Sequence, residues 1–395
     1  MDTSSTSNEA PAYWSGVFAM TLCVFVLIAS EFMPVSLLTP MAADFQVTEG
    51  MAGQGIAISG VFAVLTSLSI SWIAGTLDRK TLLLALAGLM ALSGAIVGLA
   101  PDYQTYLVGR ALIGVVIGGF WSMSAATAMR LVPAAQVPRA LAIFNGGNAL
   151  ATVVAAPLGS YLGSIIGWRG AFFCVVPVAA IALVWMYISL PPMQVQSRIP
   201  GSGNVFKLLK NRSVVLGMVG CGAFFMGQFA LFTYLRPFLE TVTRVDVSTL
   251  SLILLVIGAA GFIGTLTIGR FLRRSLFRTL IAIPVLMALI ALALIPFGNS
   301  IIVVAALLGL WGLLATAAPV GWWSWIAQAM PNNAEAGGGL MVAVIQLAIA
   351  LGSIVGGLLL DSRGYQSTFV ASAVVLLLGA VVTVLTSRST PSRTA

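Results

Sequence analysis

Histidine is absent from all 395 residues. That removes the side chain that most often carries protons near neutral pH and most often binds metals. A Ser–His–Asp hydrolase is excluded with it, and no histidine-free hydrolase motif stands out. Charge is scarce too: 8% of residues are Asp, Glu, Lys or Arg, against about 25% in soluble domains. So few charges cannot cover a water-facing surface for a chain of this size, whereas a lipid-facing one needs none. Only three cysteines occur, Cys23, Cys174 and Cys221, each inside an apolar run and without a Cys-x-x-Cys partner. They are expected to be small buried hydrophobes. No phosphate-binding Gly-Lys-Ser/Thr loop is found, which excludes a built-in ATPase, and there is no metal-ligand cluster. The chain is therefore expected to be no enzyme and to need no cofactor.

What is present is apolar sequence, 59% of the chain. A membrane-crossing helix needs about 20 mostly apolar residues. Twelve such runs fall at roughly 14–39, 51–76, 81–100, 104–129, 140–165, 170–190, 213–239, 248–271, 277–297, 300–330, 337–360 and 367–387. Ahead of the first run, Asp2 and Glu9 are the only charges, so a basic signal-peptide start is missing. The run itself continues to Pro40, which predicts a retained helix. The most polar gap, 191–212, is rich in Pro, Gly, Ser and basic residues. The expected architecture is an all-α polytopic membrane protein, with twelve transmembrane helices in two six-helix bundles. Residues 1–190 form the first bundle, 191–212 a cytoplasmic linker and 213–395 the second bundle.

The formal charge is +8, and its distribution sets an orientation. With the N-terminus in the cytoplasm, 14 basic residues fall on the cytoplasmic side and 4 on the outer side, and Arg110 lies within the fourth run. By the positive-inside tendency both termini are cytoplasmic. The location expected is the bacterial inner membrane, multi-pass. The basic residues are topological signals in short loops, so no nucleic-acid partner is expected; the partners are a small molecule, protons and membrane lipid, and the protein is expected to be a monomer.

The halves also resemble each other. At an offset of 197 residues Gly159, Gly167 and Phe172 map onto Gly356, Gly364 and Phe369. At an offset of 194, Gly75, Arg79 and Lys80 map onto Gly269, Arg273 and Arg274. Parallel repeats of this kind place a substrate site between the halves near mid-membrane.

Two ionisable residues lie deep in the apolar runs, Glu31 in the first and Arg110 in the fourth. A charge at the bilayer centre costs at least about 2.5–3.5 kcal/mol on insertion scales, so it persists where it has a use. Counting from Pro40 and from the start of the fourth run, both fall roughly 9–13 Å below the outer face. At that common depth they are placed to pair or to share a cavity. Burial favours the protonated form of Glu31 and a neighbouring guanidinium the ionised form. A carboxylate caught between the two can bind and release a proton as the cavity changes sides. The alternatives are a purely structural ion pair, or an Arg110 bonded to backbone carbonyls.

The candidate pocket is marked by aromatic and amide side chains: Phe225, Gln228, Phe232 and Tyr234 in the seventh run, Trp323 in the tenth, Trp121 in the fourth, Asn145 and Asn148 in the fifth, and Gln346 in the eleventh. Amides within a membrane span need partners, from substrate or from other helices. Small-residue stripes let helices approach closely; Gly159, Gly163 and Gly167 form one, Gly114 and Gly118 another, Gly352 and Gly356 a third. Pro157, just before the first stripe, predicts either static packing or a bend used in rocking.

At these residues the chain resembles the major facilitator superfamily, in its twelve-helix drug–proton antiporter branch. AGTLDRK, with Asp78, Arg79 and Lys80, looks like that family's cytoplasmic gate motif, shortened here by Thr81, Leu82 and Leu83. GRALIGVVIGG, with Arg110, resembles the motif linked to proton transfer. AAPLGSYLG, with Pro157 and Gly159, resembles the antiporter motif, with Ala156 where glycine is usual. The blocks EFMPVSLLTPMA, GGFWSMSAATAMRLVP, GQFALFTYLRP, APVGWWSWI and VAVIQLA are similar to the bacterial purine ribonucleoside efflux permeases. The resemblance implies export of inosine, guanosine, adenosine and purine analogues in exchange for protons, driven by the proton gradient. It also implies proton coupling at Glu31 and Arg110 and gating at Asp78, Arg79, Lys80, Pro157 and Gly159. The alternative is sugar or multidrug efflux by the same mechanism.

Overall fold

The computed structural model describes residues 12–73, 77–193, 209–330 and 334–389. Asp2, Glu9, Gly75, Arg198, Lys207, Arg393 and most of the 191–212 linker lie outside the described residues. The described chain is helical, without strands. Helices α1 (Trp14–Phe45), α2 (Glu49–Ile73), α3 (Arg79–Gly98), α4 (Tyr103–Arg130), α5 (Val137–Phe173) and α6 (Val175–Ser189) make up the first half. The second half holds α7 (Arg212–Phe232), α8 (Leu235–Thr241), α9 (Val247–Arg274), α10 (Leu276–Phe297), α11 (Ile301–Ala329), α12 (Ala334–Arg363) and α13 (Tyr365–Ser389). Among the described residues eleven stretches are long and apolar enough to cross a membrane. One of them, Arg139–Ser189, has 51 residues, about 76 Å of helix, and turns back at Gly167, so it makes two crossings. Twelve crossings result, in the order the apolar runs predict.

The ends of these helices follow from local chemistry. Asp78, Asp102 and Asp246 cap α3, α4 and α9 with their carboxylates, and Asn211 and Ser275 do the same for α7 and α10. Each satisfies backbone N–H groups that the first helical turn leaves open. Pro40 does not end α1 as expected; the helix runs on to Phe45 and stops where Gln46 turns left-handed at φ 55°. A proline within a transmembrane helix is tolerated where neighbours satisfy the freed carbonyl. The seventh run, expected as one helix, is split at Thr233–Tyr234. Pro237 explains the break, because it has no N–H to give to the Thr233 carbonyl one turn earlier.

Gly167 and Gly364 occupy equivalent points of the two halves, with φ of 76° and 79°. A side chain there would be strained. Gly167 therefore makes the turn between the fifth and sixth crossings instead of extending the packing stripe of Gly159 and Gly163. That stripe lies against Met33, Ser36 and Leu37 of α1. In the second half Gly352 and Gly356 lie against Met226 and Ala230 of α7. The backbone break in this region falls at Gly167, while Pro157 stays within regular helix.

Two large apolar cores form. One gathers α1 to α6 around Phe120, Phe144 and Phe172; the other gathers α7 to α13 around Phe224, Trp311, Trp322 and Phe369 and reaches Val35, Ile56 and Ala156 of the first half. Cys23 and Cys221 are buried as expected, but Cys174 is exposed at the joint of α5 and α6. The halves meet most extensively along two helix pairs, α2 with α12 and α5 with α9. A glycine lets the backbones come close in each. A Cβ on Gly60 would lie 2.7 Å from the Gln346 carbonyl oxygen, and one on Gly258 2.6 Å from the Val153 Cα. These two contacts are related by the same near-half-chain offset as the repeats.

Candidate functional site

Glu31 and Arg110 are both buried, at 5% and 1% exposure. They do not form the ion pair that equal depth suggested. Arg110 spends its guanidinium on main chain: Nη1 donates to the Ser30 carbonyl at 2.7 Å, Nε to the Gly55 carbonyl at 3.2 Å, and Nη2 to Ser59 Oγ at 3.1 Å and the Glu31 carbonyl at 3.5 Å. It thereby ties α1, α2 and α4 together, which is the structural alternative named above. The two residues do share a depth, since Arg110 reaches the Ser30 and Glu31 carbonyls, but the Glu31 side chain leaves α1 in another direction. The Glu31 carboxylate finds a different partner. Its Oε1 accepts a hydrogen bond from Gln346 Nε2 of α12 at 3.1 Å, across the two halves. Gln346 is thus placed on a protein carboxylate.

Aromatic rings of α1 and α7 also meet between the halves. Phe32, next to Glu31, stacks on Phe229 of α7 with centroids 5.9 Å apart and planes 22° apart. Phe229 meets Phe232 edge-on at 5.9 Å, and Phe225 meets Phe224 edge-on at 5.2 Å. Phe225, Gln228 and Phe232 repeat at three- and four-residue spacing, so they share one stripe of α7. Gln228 Oε1 is buried without a hydrogen-bond partner. A lone buried acceptor is costly to maintain, which marks it as a place for a donor from outside the chain. The Phe32–Phe229 pair was not singled out in the sequence, though Phe32 stands inside the EFMP block.

Four other pocket candidates lie nearer the opposite end of the bundle, where α1 begins and α13 ends, termed here the linker side. Trp121 follows Arg110 by eleven residues on α4, about 16 Å along the axis. It is half-buried and meets Phe144 edge-on at 6.3 Å. Asn145 is exposed and its amide donates to the Leu141 carbonyl of its own helix at 2.8 Å. Asn148 is half-buried, and Trp323 is exposed near Gly338 of α12. They form a second tier below the Glu31 tier.

Tyr234 departs from its expected place in the pocket. It is buried at the other end, where α1 joins α2, in a slot walled by Gly50, Gly53, Gly356 and Gly357. Its hydroxyl donates to the Ser353 carbonyl at 2.6 Å and lies 3.5 Å from the Gly50 carbonyl oxygen. Asp361 closes the same end by accepting from Thr48 Oγ1 at 2.6 Å and the Gly50 N–H at 3.1 Å. Arg236 adds a bond to the Ser36 carbonyl of α1 and pairs with Glu240 at 2.7 Å. The halves are therefore fastened at the α1–α2 loop side. Of the gate motif, Asp78 accepts from the Lys80 and Met193 N–H groups at 2.8 and 2.6 Å, joining the start of α3 to the end of the first half. The Arg79 N–H donates to the Met193 carbonyl at 3.1 Å, and Lys80 Nζ lies 5.4 Å from the Tyr187 ring.

Two bundles of six crossings, meeting around a buried carboxylate and an aromatic lining, define a secondary-transporter architecture. The family model described as Major Facilitator Superfamily matches residues 20–349, and the chain belongs to that family. It is a membrane transporter, not an enzyme. Among curated relatives, the purine ribonucleoside efflux pump NepI of Salmonella typhimurium is 42% identical over 383 residues, covering 96% of this chain and 95% of that one. The protein named transcription regulatory protein OpdE of Pseudomonas aeruginosa is 66% identical over 392 residues, covering 98% of each. Among solved structures, a bacterial homologue of the human lysosomal transporter Spinster, inward-facing and unoccupied, aligns with a TM-score of 0.77 at 16% identity, over 97% of this chain and 98% of that one. The nucleoside transporter NupG, solved as a point mutant, aligns with a TM-score of 0.76 at 13% identity, over 94% and 98%. At these identities the structures bear on fold alone.

Proposed function

We propose that the protein exports purine ribonucleosides, such as inosine, guanosine and adenosine, and purine analogues, in exchange for protons. The observation that carries this reading is the Glu31–Gln346 bond. It places a buried carboxylate at the seam between two halves, which also share the stacked Phe32–Phe229 pair, while α7 carries the unpartnered Gln228 amide oxygen. Aromatic faces suit a flat base, and Gln228 Oε1 suits a donor on base or ribose. The 42% identity with NepI supports the purine class.

The proposed cycle follows from charge. With the site open to the periplasm, Glu31 takes a proton as substrate leaves. The halves rock, and the site opens to the cytoplasm. Substrate enters, and Glu31 releases its proton there. The driving force is the proton gradient, so no cofactor takes part. The basic-residue bias puts the linker side in the cytoplasm of a bacterial inner-membrane protein, and the chain works as a monomer with its substrate contacts between its own halves. Sugar or multidrug efflux by the same cycle is the alternative substrate assignment.

The name of the Pseudomonas relative favours a second reading, control of transcription. The longest stretch between crossings is about 22 residues, too short for a folded DNA-reading module, which needs roughly 40 residues or more. Uptake into inverted vesicles separates these readings. Wild-type vesicles should concentrate labelled inosine under a proton gradient, and arabinose and a cationic dye far less. Glu31→Gln, fixed in the protonated shape, should still exchange inosine in counterflow but should not concentrate it. Concentrative uptake by Glu31→Gln would remove Glu31 from coupling. Uptake of arabinose or the dye alone would reassign the substrate, and no uptake of any of the three would favour the regulatory reading.

A further inference from the structure

We infer that Gln346 is the positioning residue through which the protonation of Glu31 is passed to the second half, and not a substrate contact. This rests on the exporter reading and deepens it. Three observations meet at Gln346. Its side chain holds Glu31 Oε1 at 3.1 Å. Its own carbonyl oxygen lies against Gly60, at a close approach of α2 and α12. That approach has a counterpart at Gly258 and Val153, where α9 meets α5. Two matching contacts define the line about which the halves turn. Groups on such a line move least when the bundle rocks. Gln346 therefore keeps hold of Glu31 when the loop-side bonds of Asp361, Tyr234 and Arg236 part.

An amide suits this task because it has a donor end and an acceptor end. Toward ionised Glu31 it presents N–H, as seen here. When Glu31 takes a proton, the acid O–H becomes a donor, and a half-turn of the amide brings the Gln346 carbonyl oxygen to accept it. No bond within either side chain breaks, and the proton stays on the Glu31 carboxyl until it leaves to water. Each proton state thus has a matched pair across the seam, and the turn of the amide changes what Gln346 offers the rest of α12. The charged group facing Glu31 is Arg110 of α4, through the Glu31 carbonyl, with the Tyr106 phenol one turn away. Among the described residues the charged groups of α2, α3, α5, α8 and α12 lie near helix ends, the Tyr161 phenol midway along α5 is exposed, and Arg236 reaches α1 at Ser36.

The test is proton binding by the purified protein after a pH jump, alongside inosine counterflow across pH. Gln346→Met keeps the length and removes both polar ends. Its counterflow KM should stay within about twofold of wild type, while its pH profile moves about one unit toward higher pH, a tenfold change in proton affinity. If that variant does not accumulate in the membrane, Gln346→Glu carries the test. Two carboxyls facing each other hold one proton between them through neutral pH, so proton uptake on acidification should move to higher pH. The exchanged pair Glu31→Gln with Gln346→Glu should regain pH-dependent proton binding that Glu31→Gln alone lacks. An unchanged pH profile with a KM raised tenfold would make Gln346 a substrate contact and overturn the inference. Failure of the exporter reading looks different: wild type would exchange no inosine at any pH, yet the pH jump would still rank the variants.

Discussion

Glu31 and Gln346 are 315 residues apart in the chain and share a hydrogen bond of 3.1 Å between the two halves of the bundle. The carboxylate's direct partner is thus a neutral amide, and Arg110, the nearby cation, is engaged by main-chain carbonyls and a serine hydroxyl. An ion pair would pin Glu31 in its charged form. An amide partner leaves both proton states available, which suits a site that must load and unload.

Arg110 is expected to matter for architecture first. Arg110→Lys keeps the charge but cannot serve three carbonyls and a hydroxyl from a planar fork. Arg110→Ala leaves the buried Ser30 and Gly55 carbonyls without donors, at about 1–3 kcal/mol each. Both variants should melt at lower temperature in detergent, and the alanine variant by more. A lysine variant with the wild-type melting temperature and full transport would show that the guanidinium fork is dispensable.

Gln228→Leu should separate binding from folding. It removes a buried acceptor that has no partner within the chain, so the melting temperature should hold or rise. Inosine binding should weaken by roughly tenfold, the equivalent of about 1.4 kcal/mol for one lost hydrogen bond. Trp121→Ala should weaken binding by loss of a ring face. Binding at wild-type strength in both variants would take the second tier and the α7 stripe out of the site.

The loop-side closure predicts a lock. In a protein cleared of Cys23, Cys174 and Cys221, the pair Thr48→Cys and Asp361→Cys should be joined by a short thiol cross-linker, because the native side chains touch at 2.6 Å. Cross-linked protein should bind but not transport, and cleavage of the linker should restore transport. Transport by fully cross-linked protein would mean that this end does not open in the cycle.

Two exposed caps predict an acid-side dependence of stability. The Thr105 N–H holds the Asp102 carboxyl below its ordinary range, and hydrogen bonds from Thr249 do the same for Asp246. A carboxyl depressed in the folded state stabilises above its unfolded value and loses that contribution as pH falls through the folded value. Asp102→Asn with Asp246→Asn keeps both caps, since asparagine caps as well as aspartate, but does not titrate. The melting temperature should match wild type at pH 7 and fall less steeply below pH 4. Parallel acid curves would locate the sensitivity elsewhere.

Much of this molecule is legible in the sequence because a bilayer imposes a simple rule: every crossing must be a long apolar helix with its backbone satisfied internally. Hence the runs match the helices, Gly167 and Gly364 repeat as left-handed turns, and the capping aspartates fall where helices begin. The same rule makes Glu31 and Arg110 conspicuous, since charges inside apolar runs are rare. Their presence in the membrane was decided by composition alone.

Which groups they touch was decided by the tertiary fold. Equal depth suggested a Glu31–Arg110 pair, and the depth holds, but side-chain direction depends on how α1 is turned against α2 and α4. Tyr234 read as a pocket aromatic because residue type carries no information on which glycines will face it. Its slot is built from Gly50, Gly53, Gly356 and Gly357, drawn from two helices far apart in the chain. Sequence specifies short-range structure through propensity and periodicity; the seam between the halves, with Gln346 on Glu31 and Asp361 on Thr48, is made of contacts some 300 residues apart. No periodicity encodes such contacts, and only the packing of one bundle on the other fixes them.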